Sequence, residues 1–171
     1  MSEWLPEGYE RPTSAGKYFK FEEGDNRIRI LSKPVLGWVD WDEKNPVRTK
    51  DKPEHPVNPK KPAKHFWAFV IWDYRDKSLK VMEITQATIQ DSIIALHNSE
   101  DWGVPTNYDL NINRTGKEME TKYNVIPFPP KPITQDIADE YATVKIDLEK
   151  LFSNGDPFEQ DGAGIDVSQI V

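Results

Sequence analysis

The chain contains no cysteine among its 171 residues. That absence excludes disulfide bonds, a thiolate nucleophile and a cysteine-based zinc site, so we expect a reducing compartment or indifference to redox conditions. No apolar run approaches the ~20 residues that span a bilayer, and the first residues, MSEWLPEGYERPTS, lack the basic start and apolar stretch of a signal peptide. These absences predict a soluble cytoplasmic protein that makes no membrane contact.

Motifs of catalysis are also missing. The sequence has no GxSxG motif and no phosphate-binding glycine loop. His55 and His65 are separated by ten residues and have no acidic or cysteine partner at metal-ligand spacing. The sequence therefore predicts neither an enzyme nor a metal or other cofactor. A metal-dependent nuclease stays a weaker alternative, and its candidate ligands are two pairs of acids, Asp40 with Asp42 and Asp73 with Asp76.

Charge is distributed unevenly along a chain whose net charge is -7. Residues 44–64 carry seven Lys or Arg against two acids, whereas residues 132–171 carry nine acids against two lysines. Such asymmetry is typical of nucleic-acid-binding proteins with an acidic tail. Solvated surface charge without a partner is the alternative.

The stretch HFWAFVIWDY, residues 65–74, has five aromatic side chains. Side chains of a strand alternate between two faces, and here both faces are apolar. A strand with one wet face should alternate apolar with polar residues. This strand is therefore buried on both sides, or one face offers aromatic surface to a ligand.

Other segments can be placed around this strand. Residues 1–16 look like an arm, and residues 17–41 have strand character broken by an EEGDN turn. Residues 42–64 contain five prolines and predict a long basic loop. After the aromatic strand come the strand LKVMEIT, the helix QATIQDSIIALHNSED, and the strands NYDLNIN and METKYNVIPF joined by the turn RTGKE.

The carboxyl-terminal part predicts a helix and a tail. Residues 133–153 place Ile137, Tyr141, Val144, Leu148 and Leu151 on one apolar stripe. Residues 154–171 have the composition of a flexible acidic tail.

This order of elements matches the OB-fold, a five-stranded, partly open β-barrel with a helix between strands 3 and 4. We therefore predict a mainly β OB-fold domain over residues 17–132, followed by the C-terminal helix and the acidic tail. OB-folds usually bind ligands on the face of strands 2 and 3 and on the loops between strands 1 and 2 and strands 4 and 5. Here those loops are residues 42–64 and RTGKE.

Single-stranded nucleic acid binds to aromatic faces and a cationic groove. The predicted stacking residues, each of which has an alternative as a core side chain, are Trp38, Trp41, Trp67, Phe69, Trp72 and Tyr74. The predicted phosphate contacts are Arg27, Arg29, Arg48, Lys50, Lys52, Lys60, Lys61, Lys64, Arg114 and Lys117.

The stretch DWGVPTNYDLNINRTGKEMETKYNVIPFPP, residues 101–130, resembles the single-stranded-DNA-binding replication proteins of bacteriophages related to that of phage T4. The pattern is carried by Tyr108, Asp109, Leu110, Ile112, Arg114 and Gly116, then by Thr121, Tyr123, Val125 and Pro127. KFEEGDNRIRIL, residues 20–31, is similar to the first strand of the same proteins. The T4-like members carry a cysteine-containing zinc insertion that this sequence lacks.

The resemblance implies an OB-fold protein that coats single-stranded DNA with little sequence preference during phage DNA replication, recombination or repair. It also implies an acidic tail that recruits replication or recombination proteins, here through Asp156, Phe158, Glu159, Asp161 and Asp166. A protein-interaction module, whose aromatic face docks a partner protein, is the alternative function. The sequence does not predict the oligomeric state.

Overall fold

The computed structural model describes residue 4 and residues 18–43, 45–57 and 60–158. Within these residues the chain is mainly β, with seven strands and two α-helices. The strands are β1 (Arg27–Ile30), β2 (Val35–Asp42), β3 (Asn45–Thr49), β4 (Lys64–Asp73), β5 (Ser78–Ile84), β6 (Asp109–Thr115) and β7 (Lys122–Pro127). The helices are α1 (Ala87–His97) and α2 (Gln135–Thr143), and 3₁₀ turns cover Pro105–Asn107, Glu118–Glu120 and Leu148–Ser153. Most of the predicted arm, residues 1–16, lies outside the described residues.

Strand β4, the predicted aromatic strand, is the centre of the sheet. Its first half pairs antiparallel with β2, with Trp38 opposite His65. Its second half pairs antiparallel with β1 along the same edge, with Ile30 opposite Ile71. Strand β5 pairs with the other edge. The ten-residue length of β4 thus lets one strand align three others.

The part of residues 17–41 after the EEGDN turn, predicted as one strand through residue 41, forms two strands, because the chain leaves the ladder between β1 and β2. There the Ser32 hydroxyl accepts a hydrogen bond of 2.8 Å from the Val70 N–H and so replaces a backbone partner. Pro34 follows and has no N–H to donate to a ladder. Before β1, Tyr18 and Gly24 make only isolated bridges, to β5 and β6 respectively.

The sheet resembles an OB-fold but is not a closed five-stranded barrel. The strand order is β3-β2-β4-β1-β6-β7, with β5 on the free edge of β4. No ladder joins β5 to β7 in the described part of the chain, so the sheet stays open between them. Helix α1 lies between β5 and β6 along the chain, as the sequence predicts, and it packs against β7.

The predicted basic loop of residues 42–64 contains a strand that the sequence reading missed. Strand β3 pairs with β2, with Pro46 opposite Trp41. A proline fits here because β3 is an edge strand, so the N–H that proline lacks is not needed on the outer side. Glu43, with φ of +55°, begins the reversal between the two strands. In the described part of the loop, the irregular residues are therefore 50–57 and 60–63.

From Ala68 to Asp73 both faces of β4 are buried, each in its own core, whereas Lys64, His65 and Trp67 near its start keep accessible surface. The first core lies under α1 and contains Ile28, Ile30, Phe69, Ile71, Met82, Ile84, Ile89, Ile93, Tyr108, Leu110 and Ile112. The second core lies on the opposite face and contains Val39, Phe66, Ala68, Val70, Trp72, Leu79, Val81, Ile137, Leu148 and Leu151. Hydrophobic burial on both sides explains why this strand has no polar alternation.

The C-terminal segment completes the second core. The predicted helix over residues 133–153 is shorter than expected: α2 ends at Thr143, and a 3₁₀ turn over Leu148–Ser153 follows an extended connection. The apolar stripe predicted for residues 133–153 is nevertheless packed against the second core. Residues 154–158 also belong to the body, since Pro157 is buried and Phe158 contacts this core. The predicted tail boundary at residue 154 is therefore too early.

Replacement of Gly37 by alanine should destabilise the fold. A Cβ at this buried position of β2 would lie 2.6 Å from the Thr49 carbonyl oxygen and within 3 Å of the rings of Phe66 and Phe152. Such overpacking typically costs about 1–3 kcal/mol. Urea unfolding followed by circular dichroism would measure the loss, and an unchanged midpoint would show that the hairpin of β2 and β3 relaxes freely.

Candidate nucleic-acid interface

Strands β4 and β5 correspond to strands 2 and 3 of the predicted OB-fold, where such folds usually bind their ligand. The outer face of these two strands is covered by the protein itself. Residues 133–158 pack their apolar side chains on it, and Phe152 lies with its ring centroid 5.8 Å from that of Phe66. Trp72 is only 6% exposed beneath this cover, and Phe69 is 2% exposed in the first core. The structure therefore corrects the stacking prediction for both residues, because they fill cores and present no ring to a ligand.

A different group of aromatic side chains is accessible. Leu36, Trp38, His65 and Trp67 lie on one side of β2 and β4, where Leu36 is opposite Trp67 and Trp38 is opposite His65. We call them the Trp38 face. Leu36 is 52% exposed, and the other three are half-buried. The ring centroids of Trp38 and His65 are 5.0 Å apart, and the His65 Nδ1–H donates to the Gly37 carbonyl oxygen over 2.8 Å, which fixes the imidazole.

The basic loop lies against the Trp38 face. The Val57 N–H donates to Asp40 Oδ2 over 2.6 Å, and the buried Asp40 is on the same side of β2 as Trp38. The Lys52 ammonium nitrogen is 5.4 Å from the centroid of a Trp38 ring. Cations at this distance from an indole interact favourably with its π-face. A cation and a partly exposed aromatic ring are thus held together, as the sequence prediction requires.

The other predicted loop cations are exposed, with one exception. Lys50, Lys60, Lys61 and Lys64 are accessible to solvent. Lys50 is 3.2 Å from Glu149, a contact between two exposed groups that contributes little. Arg48 is the exception: its Nη2 is 2.7 Å from Glu83 Oε2, and both side chains are largely buried. Its charge is already neutralised, so the structure does not offer Arg48 as a phosphate contact.

Some predicted residues lie on the opposite side of the hairpin. Trp41 is 46% exposed but points away from Trp38, since the two are three residues apart on β2 and side chains alternate. Lys64 is opposite Val39, a second-core residue, and so is also on the side away from Trp38. The structure does not bring Trp41 or Lys64 together with the Trp38 face.

A second polar cluster surrounds the buried carboxylate of Asp109. Arg27 Nη2 donates to Asp109 Oδ2 over 2.8 Å, and Arg29 Nη1 donates to Oδ1 over 3.2 Å. The Tyr74 hydroxyl donates to Oδ1 over 2.8 Å, and the Lys131 ammonium is 3.8 Å from Oδ2. Arg29 is buried and also donates to two backbone carbonyls. It is a structural residue, which corrects its prediction as a phosphate contact.

The cluster shifts two pKa values. Burial raises the pKa of Asp109, but hydrogen bonds from Arg27, Tyr74 and Arg29 outweigh that effect, so its pKa lies below the ordinary value. Burial and the hydrogen bond to the Asp109 carboxylate raise the pKa of Tyr74 to about 12. At neutral pH Asp109 is therefore an anion and Tyr74 a neutral donor.

Two predicted cations lie at the turn between β6 and β7, at the other end of β6 from Asp109. Lys117 is exposed, whereas Arg114 is half-buried and its Nη1 donates to the Phe21 carbonyl oxygen over 3.2 Å. Gly116, with φ of +83°, allows the turn, since a Cβ there would lie 2.2 Å from the Glu120 carbonyl oxygen. Only Lys117 of this pair is presented fully to solvent.

The predicted tail residues fall into two groups. Asp156 Oδ1 accepts a hydrogen bond of 2.9 Å from the Phe158 N–H, and the Phe158 ring packs against the second core. Glu159, Asp161 and Asp166 lie outside the described residues. Phe158 therefore packs as part of the fold.

The described residues contain no group of three or more His, Cys, Asp or Glu side chains arranged to hold a metal ion. They also contain no helix that is both long and apolar enough to cross a membrane.

Comparison with known proteins gives a relative among the bacteriophages. The chain is 30% identical to a protein of Escherichia phage T5 described as a probable ssDNA-binding protein. The resemblance to phage single-stranded-DNA-binding proteins is thereby confirmed. The match covers 64% of this chain and 54% of the phage protein, so the chain spans about half the length of this relative. No family model and no solved structure matches the chain.

The sequence reading missed several residues at these sites. Leu36 and His65 belong to the Trp38 face, and Asp109, Phe128 and Lys131 belong to the second cluster. The register between β2 and β4 brings the first two together, and nothing local to either strand specifies that register. Asp109 stands in the phage-like Tyr-Asp pattern, which indicates its position but not its role.

Proposed function

We propose that this protein binds single-stranded DNA without catalysing a reaction on it. The observation that carries the proposal is the Trp38 face, where an accessible indole lies beneath Lys52 and beside an exposed basic loop. The name of the T5 relative supports the same ligand. Unpaired bases have two free π-faces, whereas those of a duplex are stacked on each other, so an accessible indole favours the single strand.

Base stacking and phosphate neutralisation each contribute to the affinity for the single strand. A base stacked on Trp38 gains about 1–3 kcal/mol, and Trp67 adjoins it as a second apolar surface on the same side of the sheet. The lysines of residues 50–63 neutralise phosphates and release their counterions. Neither contact reads the hydrogen-bonding edge of a base. We therefore propose little sequence preference.

The proposed role in the cell follows from the protein's coating of single-stranded DNA. A protein that stacks unpaired bases prevents them from pairing, so it would protect single strands and remove their secondary structure during phage DNA replication, recombination or repair. Such a role places it in the cytoplasm of the host. The acids after residue 158, including Glu159, Asp161 and Asp166, would recruit replication or recombination proteins. The excess of negative charge in residues 132–171 supports this assignment.

Fluorescence anisotropy with labelled oligo-dT tests the proposal. We expect tight binding at low salt, with log K falling linearly against log[salt] by about 0.7 for each phosphate neutralised. Duplex DNA of the same length should bind much more weakly, and added Mg²⁺ or Mn²⁺ should not lead to degradation of the oligonucleotide. Equal affinity for duplex and single strand, or binding insensitive to salt, would contradict the proposed mode.

A further inference from the structure

The cluster around Asp109 has an unusual balance of charge. Arg27, Arg29 and Lys131 share one carboxylate, which leaves the cluster with a net charge of +2. The neighbouring acids are engaged elsewhere: Asp25 Oδ1 accepts hydrogen bonds from the amides of Asn111 and Asn113, and Asp73 pairs with Lys80. Within the described residues, none of the three cations has a second carboxylate within 4 Å. An anion from outside the protein would balance this site.

Arg27 is held in a fixed orientation with part of it exposed. Its guanidinium carbon lies 4.1 Å from the centroid of Phe128 and 5.1 Å from that of Tyr74. Its Nε and Nη2 both donate to Asp109 Oδ2, and in the described part of the chain its Nη1 has no hydrogen-bond acceptor. The side chain is 41% exposed. A cation restrained in this way loses little conformational entropy when it binds a ligand.

Lys131 supplies a second positioned cation. Its side chain is 55% exposed, and its ammonium nitrogen is 3.8 Å from the same carboxylate oxygen that Arg27 contacts. Arg29 Nη2 donates to the Lys131 carbonyl oxygen over 2.7 Å, and the Lys131 N–H donates to the Asn107 carbonyl oxygen over 3.0 Å. Buried Arg29 is thus a positioning residue that holds the backbone of Lys131 beside Arg27.

We infer that Arg27 and Lys131 form a phosphate-binding subsite, in which Arg27 Nη1 and Lys131 Nζ donate hydrogen bonds to one phosphate of the bound strand. The inference rests on the proposed function, since it identifies the phosphate as part of a bound single strand. Asp109 and the rings of Phe128 and Tyr74 hold Arg27 in place. Tyr74, a neutral hydroxyl that donates inward to Asp109, adds no negative charge to repel the phosphate.

Two single variants and one control test the subsite in the full chain. Lys131→Gln and Arg27→Gln each remove one cation, and Lys20→Gln removes an exposed cation that is not part of the cluster. We expect each subsite variant to bind oligo-dT about fivefold or more weakly at low salt, with the slope of log K against log[salt] shallower by about 0.7. The double variant should lose little more slope, because both groups contact one phosphate. Lys20→Gln should match the wild type, and thermal unfolding would confirm that Lys131→Gln stays folded.

A parallel titration with dTMP, followed by NMR chemical shifts, separates the possible outcomes. If the wild type binds oligo-dT and both subsite variants keep its affinity and salt slope, the subsite is refuted while the proposed function stands. If the wild type binds dTMP through Lys131 but binds oligo-dT no better, the subsite takes a free nucleotide, and its assignment to a strand is overturned. If neither ligand binds, the subsite and the proposed function both fail.

Discussion

Replacement of Asp109 by asparagine should lower the free energy of unfolding by about 3–5 kcal/mol, the usual cost of removing one partner of a buried ion pair. The Asp109 side chain has no exposed surface, and Arg29 beside it is 3% exposed. The isosteric amide would leave the arginine charge buried without its counterion. Equilibrium unfolding in urea, followed by circular dichroism at pH 7, would measure the loss.

Asp91→Asn is the matched control, because Asp91 is an exposed carboxylate on α1. The same substitution there should leave the unfolding midpoint unchanged. The loss of stability in Tyr74→Phe should lie between the losses in the other two variants, since it removes one donor to Asp109 and no charge. A loss below about 1 kcal/mol for Asp109→Asn would show that water reaches the carboxylate and that the cluster is not a buried anchor.

The same substitution has a defined pH dependence. Because the pKa of Asp109 is lowered in the folded state, its carboxylate stabilises the fold fully above the unfolded pKa of ~3.9. That stabilisation is lost as the pH falls through the folded-state pKa. The difference in stability between wild type and Asp109→Asn should therefore shrink in acid, and urea titrations at pH 7 and at successively lower pH would detect it. If this difference in stability stayed constant with pH, the destabilisation by Asp109→Asn would come from side-chain shape and not from charge.

Reversal of charge on the basic loop should have the largest effect on binding. Lys52→Glu combined with Lys61→Glu replaces two exposed cations of the basic loop by anions, and Lys52 lies over the Trp38 ring. We expect affinity for oligo-dT to fall about 100-fold at low salt, because two phosphate contacts become repulsive. The fold should be unaffected, since both side chains are exposed. Anisotropy titrations at several salt concentrations would measure the change.

The control for this pair changes the net charge equally at other places. Lys20→Glu combined with Lys77→Glu alters exposed lysines on the segment before β1 and in the turn between β4 and β5. This variant should lose only the small, salt-screened part of affinity that net charge contributes. Equal losses in the two double variants would mean that overall charge, and not the basic loop, governs binding.

The helix α1 and much of the strand β4 could be predicted from local sequence patterns. The residues at helical spacing in α1, Ile89, Ile93 and Leu96, do pack against the first core. The two apolar faces of β4 indicated double burial as one of two possibilities, and the structure shows it from Ala68 onwards. Periodicity thus predicted the helix α1 correctly, whereas the apolar stripe of residues 133–153 predicted a longer helix than α2.

The rest depends on contacts between residues far apart in the chain. The cover over β4 comes from residues 133–158, and nothing in the aromatic strand itself specifies which segment will pack on it. Strand β3 was missed because Pro46 disfavours a strand in isolation, although an edge position tolerates it. The Asp109 cluster joins groups about 80 residues apart in sequence, so no spacing pattern could have shown it.

Quenching of intrinsic tryptophan fluorescence by oligo-dT tests the central claim, that bases stack on the Trp38 face, most directly. The wild type should be quenched strongly at low salt and less as salt rises, while Trp38→Phe should lose most of the quenching. Trp41→Phe, on the opposite side of the same strand, should keep it. Quenching that survives in Trp38→Phe and disappears in Trp41→Phe would place the strand on the other side of the hairpin, and no quenching of the wild type at low salt would contradict base stacking altogether.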